Sequence, residues 1–97
     1  MKKIICEKLI FSRHSVQKMF ERKISKQNIR SILDNGEIIK EYPEDTPYPT
    51  ALILGFIENR PLHLVTAFNK NEKFCIIVTV YEPDKELWED NFRRRKN

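Results

Sequence analysis

The chain has 97 residues, of which 40% are apolar and 33% charged, with six Phe, three Tyr and one Trp. That length suits one domain with a modest core, because a chain of this size buries only about two-thirds of its unfolded surface. Its long apolar runs exclude a disordered composition, and no stretch approaches the ~20 apolar residues of a membrane-spanning helix.

Net charge is +4, and its distribution says more than its sum. Lys2, Lys3, Lys8, Arg13, Lys18, Arg22, Lys23, Lys26 and Arg30 crowd the first third, and Arg93, Arg94, Arg95 and Lys96 form a basic tail. A basic stripe of this kind is expected of RNA or DNA binding, although a solvated, charged helix pair carries the same residues. The N-terminus has a basic start without an adequate apolar run, so it reads as the beginning of a cytoplasmic protein rather than a signal peptide. Cys6 and Cys75 show no metal-ligand spacing, and Cys75 lies in an apolar strand pattern. The expectation is a free, buried thiol there, with neither a disulfide framework nor a zinc site.

Along the chain, a short extended segment at Leu9 to Phe11 could add an edge strand. Ser12 is placed to cap a helix running to about Lys23, with Val16, Met19 and Phe20 as its apolar stripe. Ser25 caps a second helix through Leu33, with Ile29, Ile32 and Leu33 facing inward. Asp34, Asn35 and Gly36 end it, Gly36 being suited to the left-handed conformation common after helices. The period then becomes extended, and Glu37 to Tyr42 reads as a strand. Three prolines make Pro43 to Pro49 a loop. Thr50 to Ile57, Pro61 to Phe68 and Phe74 to Tyr81 read as three strands joined by hairpin-length turns. Pro83 and Asp84 open a last helix anchored by Leu87, Trp88 and Phe92. The expected fold is α+β: two N-terminal helices, a four-stranded, mostly antiparallel sheet and a short C-terminal helix.

If Phe68 opposes Phe74 and Ile57 opposes Pro61, His63 faces Thr79 on one side and Gly55 on the other. One sheet face then carries Leu52, Leu54, Phe56, Leu62, Leu64, Phe68, Phe74, Ile76, Val78 and Val80, and is expected beneath the helices. The other carries Ala51, Ile53, Gly55, His63, Val65, Ala67, Cys75, Ile77, Thr79 and Tyr81. There Gly55 would leave a hollow beside the imidazole, with Thr79 and Tyr81 in the same row. A slip of one residue would turn His63 into the core. A buried histidine bonded to Thr79 or to backbone accounts for His63 as well as catalysis does, and Thr79 and Tyr81 are ordinary strand formers. His14 shares the polar face of the first helix with Lys18 and Glu21, where solvation suffices to explain it. Arg22 and Arg60 could grip phosphate or simply decorate a helix end and a turn. Trp88 reads as a core anchor rather than a base-stacking platform.

Phe11-Ser12-Arg13-His14, followed by Met19 to Ser25 (MFERKIS), resembles the "FSRHA…RMxERGIS" opening of a bacterial domain family of unknown function. The likeness continues through Gly36-Glu37-Ile38-Ile39, Tyr42-Pro43, Asp45, Pro47-Tyr48-Pro49, Arg60 to Val65 and Ile77 to Pro83, covering residues 11 to about 95. Lys18 and Lys23 stand where that family usually has Arg and Gly, and the first loses a bidentate phosphate fork. In order of elements the family is similar to the RelE, MqsR and BrnT ribonuclease toxins, and its members often lie beside a zinc-ribbon antitoxin. The resemblance therefore implies a RelE-like, mRNA-cleaving toxin whose partners are RNA, on the ribosome or off it, and a cognate antitoxin.

On that expectation the protein is a metal-independent endoribonuclease with no cofactor and no membrane partner. His63 is the candidate acid or base, with Tyr81 or His14 as the second proton carrier and Thr79 orienting the imidazole. Arg22, Arg60, Lys18, Arg93, Arg94 and Arg95 are the candidate RNA contacts. The rival is a non-enzymatic domain that binds nucleic acid or protein. A DNA binder using the second helix is disfavoured, because no third helix of a helix-turn-helix unit follows.

Overall fold

The computed structural model describes residues 4–96, so the reading of the chain start at Met1, Lys2 and Lys3 lies outside the described residues. In chain order the elements are β1 (Lys8–Phe11), α1 (Arg13–Arg22), α2 (Lys26–Asn35), β2 (Glu37–Tyr42), β3 (Thr50–Ile57), β4 (Arg60–Asn69) and β5 (Phe74–Tyr81). Both helices begin as their sequences specify. The Ser12 hydroxyl accepts the Ser15 amide at 3.0 Å, and Ser25 forms a reciprocal capping box with Asn28. On α2, Ile29, Ile32 and Leu33 are all buried. On α1 only Met19 of the expected stripe is buried, and Ser15 takes the inward place beside it. Val16 and Phe20 are instead 51% and 87% exposed.

The sheet has five strands in the order β1-β5-β4-β3-β2 and is mixed, because β1 runs parallel to β5. This corrects the expected four-stranded sheet, and β1 is the edge strand that Leu9 to Phe11 could add. Four residues with little alternation carry a weak signal, and a parallel pairing between distant segments leaves no trace in local sequence. The expected C-terminal helix is absent. Asp84 does cap a turn, accepting the Glu86 amide at 2.8 Å, but the chain reverses at Phe92, which has φ 60°, and Trp88 bridges back to Arg95. A helix this short has little stability of its own, and the tertiary contacts of Trp88 and Phe92 described below decide its conformation.

The expected register is also corrected. Glu58 and Asn59 have φ 51° and 69°, so they form a two-residue hairpin turn and Ile57 pairs with Arg60. At the next turn Asn69 stays in its strand opposite Phe74, its side chain accepting the amides of Asn71 and Glu72. A bulge between Val65 and Thr66 shifts the first half of β4 once more. His63 therefore pairs with Leu54 and Tyr81, not with Gly55 and Thr79.

Consequently the helix-covered face mixes the two sets expected from sequence. It contains Ala51, Ile53, Leu62, Leu64, Phe68, Cys75, Ile77 and Val80, clustered with Met19, Ile24, Ile29, Ile32 and Leu33. Gly55 lies beneath α2, where a Cβ would come within 2.8 Å of the Ile32 side chain. It admits the helix and makes no hollow beside an imidazole. Gly36 is extended, with φ −76°, rather than left-handed. It is small because a Cβ there would come within 2.5 Å of the Ile32 carbonyl and 2.8 Å of Ile53. The left-handed cap falls on Lys23, at φ 57°.

Cys6 and Cys75 are joined in a disulfide with a Cα–Cα separation of 5.4 Å, correcting the expected free thiol. Their separation of 69 residues hid the pairing. The parallel docking of β1 brings them together, and Arg30 on α2 holds the Cys6 carbonyl at 2.6 Å. Disulfides persist mainly in oxidising surroundings, and reduction would leave the same pair as two buried thiols.

Two substitutions test this packing by denaturant unfolding. Gly55→Ala should lower stability by about 1–3 kcal/mol, as overpacking against Ile32 requires. An unchanged midpoint would mean that α2 does not sit on Gly55. Lys23→Gly should raise stability by up to ~1 kcal/mol, because glycine adopts the left-handed cap without the Cβ penalty. A loss would contradict that cap.

Candidate functional site

The sheet face away from the helices carries the chemistry. Leu52 and Leu54 line it from β3, His63 from β4 and Tyr81 from β5, while Lys40 and Tyr42 reach it from β2 opposite Leu52 and Thr50. The segment after β5 folds over this face as a strap. Its Trp88 ring stands edge-on to the His63 ring at 4.4 Å between centroids, and the Tyr81 ring does the same at 5.3 Å.

His63 is wholly buried beneath the strap. Its Nε2 lies 2.9 Å from the Phe92 carbonyl, and its Nδ1 lies 3.3 Å from the Tyr81 hydroxyl. A carbonyl can only accept, so Nε2 carries the hydrogen and the neutral ring offers its Nδ1 lone pair to the Tyr81 O–H. Both ring nitrogens are thereby satisfied by a neutral imidazole. Burial lowers the His63 pKa below its usual 6.5, partly opposed by the Phe92 carbonyl. Burial also raises that of Tyr81, with Tyr42 adding to the effect and Arg95 offsetting it.

Beside this pair lies a cleft of about 420 Å³ lined by Ile39, Lys40, Tyr42, Leu52, Tyr81, Trp88, Arg93 and Arg95. Three aromatic rings and three cations share it. Lys40 sits over the Tyr42 ring at 5.4 Å, while the Arg93 guanidinium is held by Glu37 at 2.8 Å. Lys40 and Arg95 are therefore the cleft's cations best placed to meet an anion. Among the described residues no three His, Cys, Asp or Glu side chains converge as metal ligands, and no helix is long and apolar enough to cross a membrane.

The candidate residues named from sequence divide into separate groups. His63 and Tyr81 meet, as described. Thr79 does not orient His63; its hydroxyl lies 3.0 Å from Nε2 of His14, at the exposed start of α1. Ser12 anchors that corner by donating to the Val78 carbonyl at 3.0 Å. Arg60 donates to the Arg22 carbonyl at 2.8 Å, and both line an open groove that also holds Glu58, Glu82, Asp84 and Lys85. Mixed signs make that groove a poor phosphate site. Lys18 is paired with Glu21 at 3.4 Å. Of the basic tail, Arg93 and Arg95 line the aromatic cleft, and Arg94 is exposed on the strap.

Sequence reasoning missed Lys40 and Tyr42 and gave Trp88 only a core role. The signal for the first two was the i, i+2 spacing on β2, which puts a cation and an aromatic ring on one face. Trp88 serves both roles, packing on His63 with one part and lining the cleft with another.

The model of the family DUF4258, described as a domain of unknown function, matches residues 11–82. The chain belongs to that family. The match includes Lys40, Tyr42, His63 and Tyr81, whereas Cys6 and the strap with Trp88 and Arg95 lie outside it. Comparison with the curated proteins and with the solved structures returned no match.

The buried neutral His63 makes stability depend on pH with a definite sign. Its folded pKa lies below the unfolded 6.5, so the unfolded chain binds the extra proton first as pH falls. The unfolding free energy should therefore be undiminished by this group above about pH 6.5 and fall as the medium is acidified toward the lowered value. His63→Gln should flatten that slope. A wild-type stability that rises on acidification through this window would rule out a neutral buried imidazole.

Proposed function

We propose that this DUF4258 protein binds single-stranded RNA across the outer sheet face and cleaves it as the toxin of a toxin–antitoxin pair. The single observation behind this is the juxtaposition of Tyr42, Tyr81 and Trp88 with Lys40 and Arg95 in one cleft. Aromatic faces accept stacked bases of any sequence, and adjacent cations neutralise phosphates, which together suit single strands rather than duplex. Cleavage by attack of the ribose 2′-OH needs a proton acceptor at the cleft and cations for the phosphate charge. Tyr81 meets the first requirement because it lines the cleft; His63, being buried, does not touch a ligand there.

The motif resemblance of Phe11 to His14 and Met19 to Ser25 is what suggests the toxin role and a zinc-ribbon antitoxin as protein partner, by analogy, since membership of a family of unknown function does not fix an activity. A binding module without catalysis is the second reading. The commitment of both His63 nitrogens inside the protein favours it.

Induced expression should arrest growth, and purified protein should shorten single-stranded RNA without added metal. Binding should weaken steeply with salt, with Lys40→Ala and Arg95→Ala each reducing the log–log slope by about 1. Tyr42→Ala should cost about 1–3 kcal/mol of affinity if a base stacks on it. Salt-indifferent binding, or none at low salt, would contradict the RNA interface. Tight binding with no cleavage and no arrest would select the binding module.

A further inference from the structure

We infer that Tyr81 takes the proton from the attacking ribose 2′-OH while passing its own phenolic proton to Nδ1 of His63, which acts as its positioning residue. The inference rests on the ribonuclease reading of the cleft and adds the identity of its proton path.

The Phe92 carbonyl compels Nε2 to carry hydrogen, so the Nδ1 lone pair points at Tyr81. The Tyr81 O–H is consequently turned inward to the imidazole. Its oxygen lone pairs are left for the cleft, where they accept and do not donate. A ribose hydroxyl is the group on RNA that needs such an acceptor, and DNA lacks it. Trp88 and Tyr81 hold the ring edge-on from two sides, which keeps Nδ1 aimed along this path.

The step balances without a cofactor. The 2′-oxygen bonds to phosphorus as its proton moves to the Tyr81 oxygen, and the Tyr81 proton moves to Nδ1. The bond from phosphorus to the 5′-oxygen breaks, and solvent water protonates the departing oxygen. The hydroxide so formed is neutralised when His63 returns its proton through Tyr81. The products are a 2′,3′-cyclic phosphate and a 5′-hydroxyl, with Tyr81 and His63 restored.

The charged and titratable groups around the pair are Tyr42 and Lys40 from β2 and Arg93 and Arg95 from the strap, with Glu37 neutralising Arg93. Burial and Tyr42 oppose negative charge on the phenolic oxygen, and Arg95 partly offsets them during transfer. The lowered His63 pKa keeps the acceptor free below pH 6.5, so cleavage should persist into mild acid before it falls.

The decisive variant is His63→Gln, whose side-chain amide can donate to the Phe92 carbonyl and accept from Tyr81 but cannot take a proton. Cleavage of single-stranded RNA should drop about 100- to 10,000-fold while RNA affinity and the melting transition persist. Tyr81→Phe should fall similarly, and a single 2′-deoxy substitution at the scissile nucleotide should block cleavage without preventing binding. The ¹⁵N spectrum of the free protein should show His63 protonated at Nε2 and bare at Nδ1. Cleavage at the wild-type rate by folded His63→Gln, or a proton on Nδ1 at neutral pH, overturns the relay while leaving the ribonuclease reading intact. If His63→Gln does not fold, Tyr81→Phe and the nitrogen spectrum decide the same question. Wild-type protein that shows the expected tautomer and binds RNA but cleaves none overturns both.

Discussion

The turn at Glu58 and Asn59 governs more of this molecule than any other two residues. Both adopt left-handed backbone, so the hairpin closes in two residues and Ile57 meets Arg60. Side chains alternate along a strand, so this closure decides which of β4's residues face the helices. Leu62 and Leu64 go inward, where they are fully buried, and His63 goes outward. One extra residue in the turn would exchange them. The same registration sets Leu62 opposite Gly55, which lies under Ile32 and admits the close approach of α2 to the sheet.

With His63 directed away from the helices, something else must cover a buried imidazole, and the strap after β5 does so. The Phe92 carbonyl meets one nitrogen, Tyr81 meets the other, and the Trp88 ring closes over the edge. An imidazole removed from water without these partners would cost free energy, so the strap's conformation and the histidine's neutrality are coupled. Placing Trp88 on His63 also carries Arg93 and Arg95 to the cleft rim, where Lys40 and Tyr42 complete an aromatic, basic surface. The packing that satisfies the histidine thus assembles the surface proposed to hold RNA.

Two proton-bearing corners result, and they differ in kind. His14 with Thr79 is exposed at the start of α1, where Ser12 and His14 bond across to β5. His63 with Tyr81 is enclosed, oriented by a carbonyl and shifted toward the neutral form. Enclosure separates the roles in the second pair: the tyrosine lines the cleft and the histidine stands behind it. Such division suits a proton path that must work at a fixed geometry.

Element positions were legible in the sequence wherever a local signal specified them. Ser12 and Ser25 capped their helices, the α2 stripe was buried, and β2, β3 and β5 have the expected limits, because caps and periodicity act within a few residues. Family membership was likewise legible, through motifs such as Phe11 to His14 and Arg60 to Val65. Register was not, since a two-residue turn, a strand-extending Asn69 and a bulge at Val65 each move pairing by one position. The edge strand at Leu9 to Phe11 was legible, but its parallel pairing with β5 and the Cys6–Cys75 disulfide join segments far apart in sequence, and the C-terminal segment has contacts that outweigh its slight helical preference. Sequence by itself determined the two helices, the strands β2, β3 and β5, and the family they form. Only the tertiary structure decided which face His63 occupies and what stands beside it, because face and partner depend on long-range pairing that no local pattern encodes.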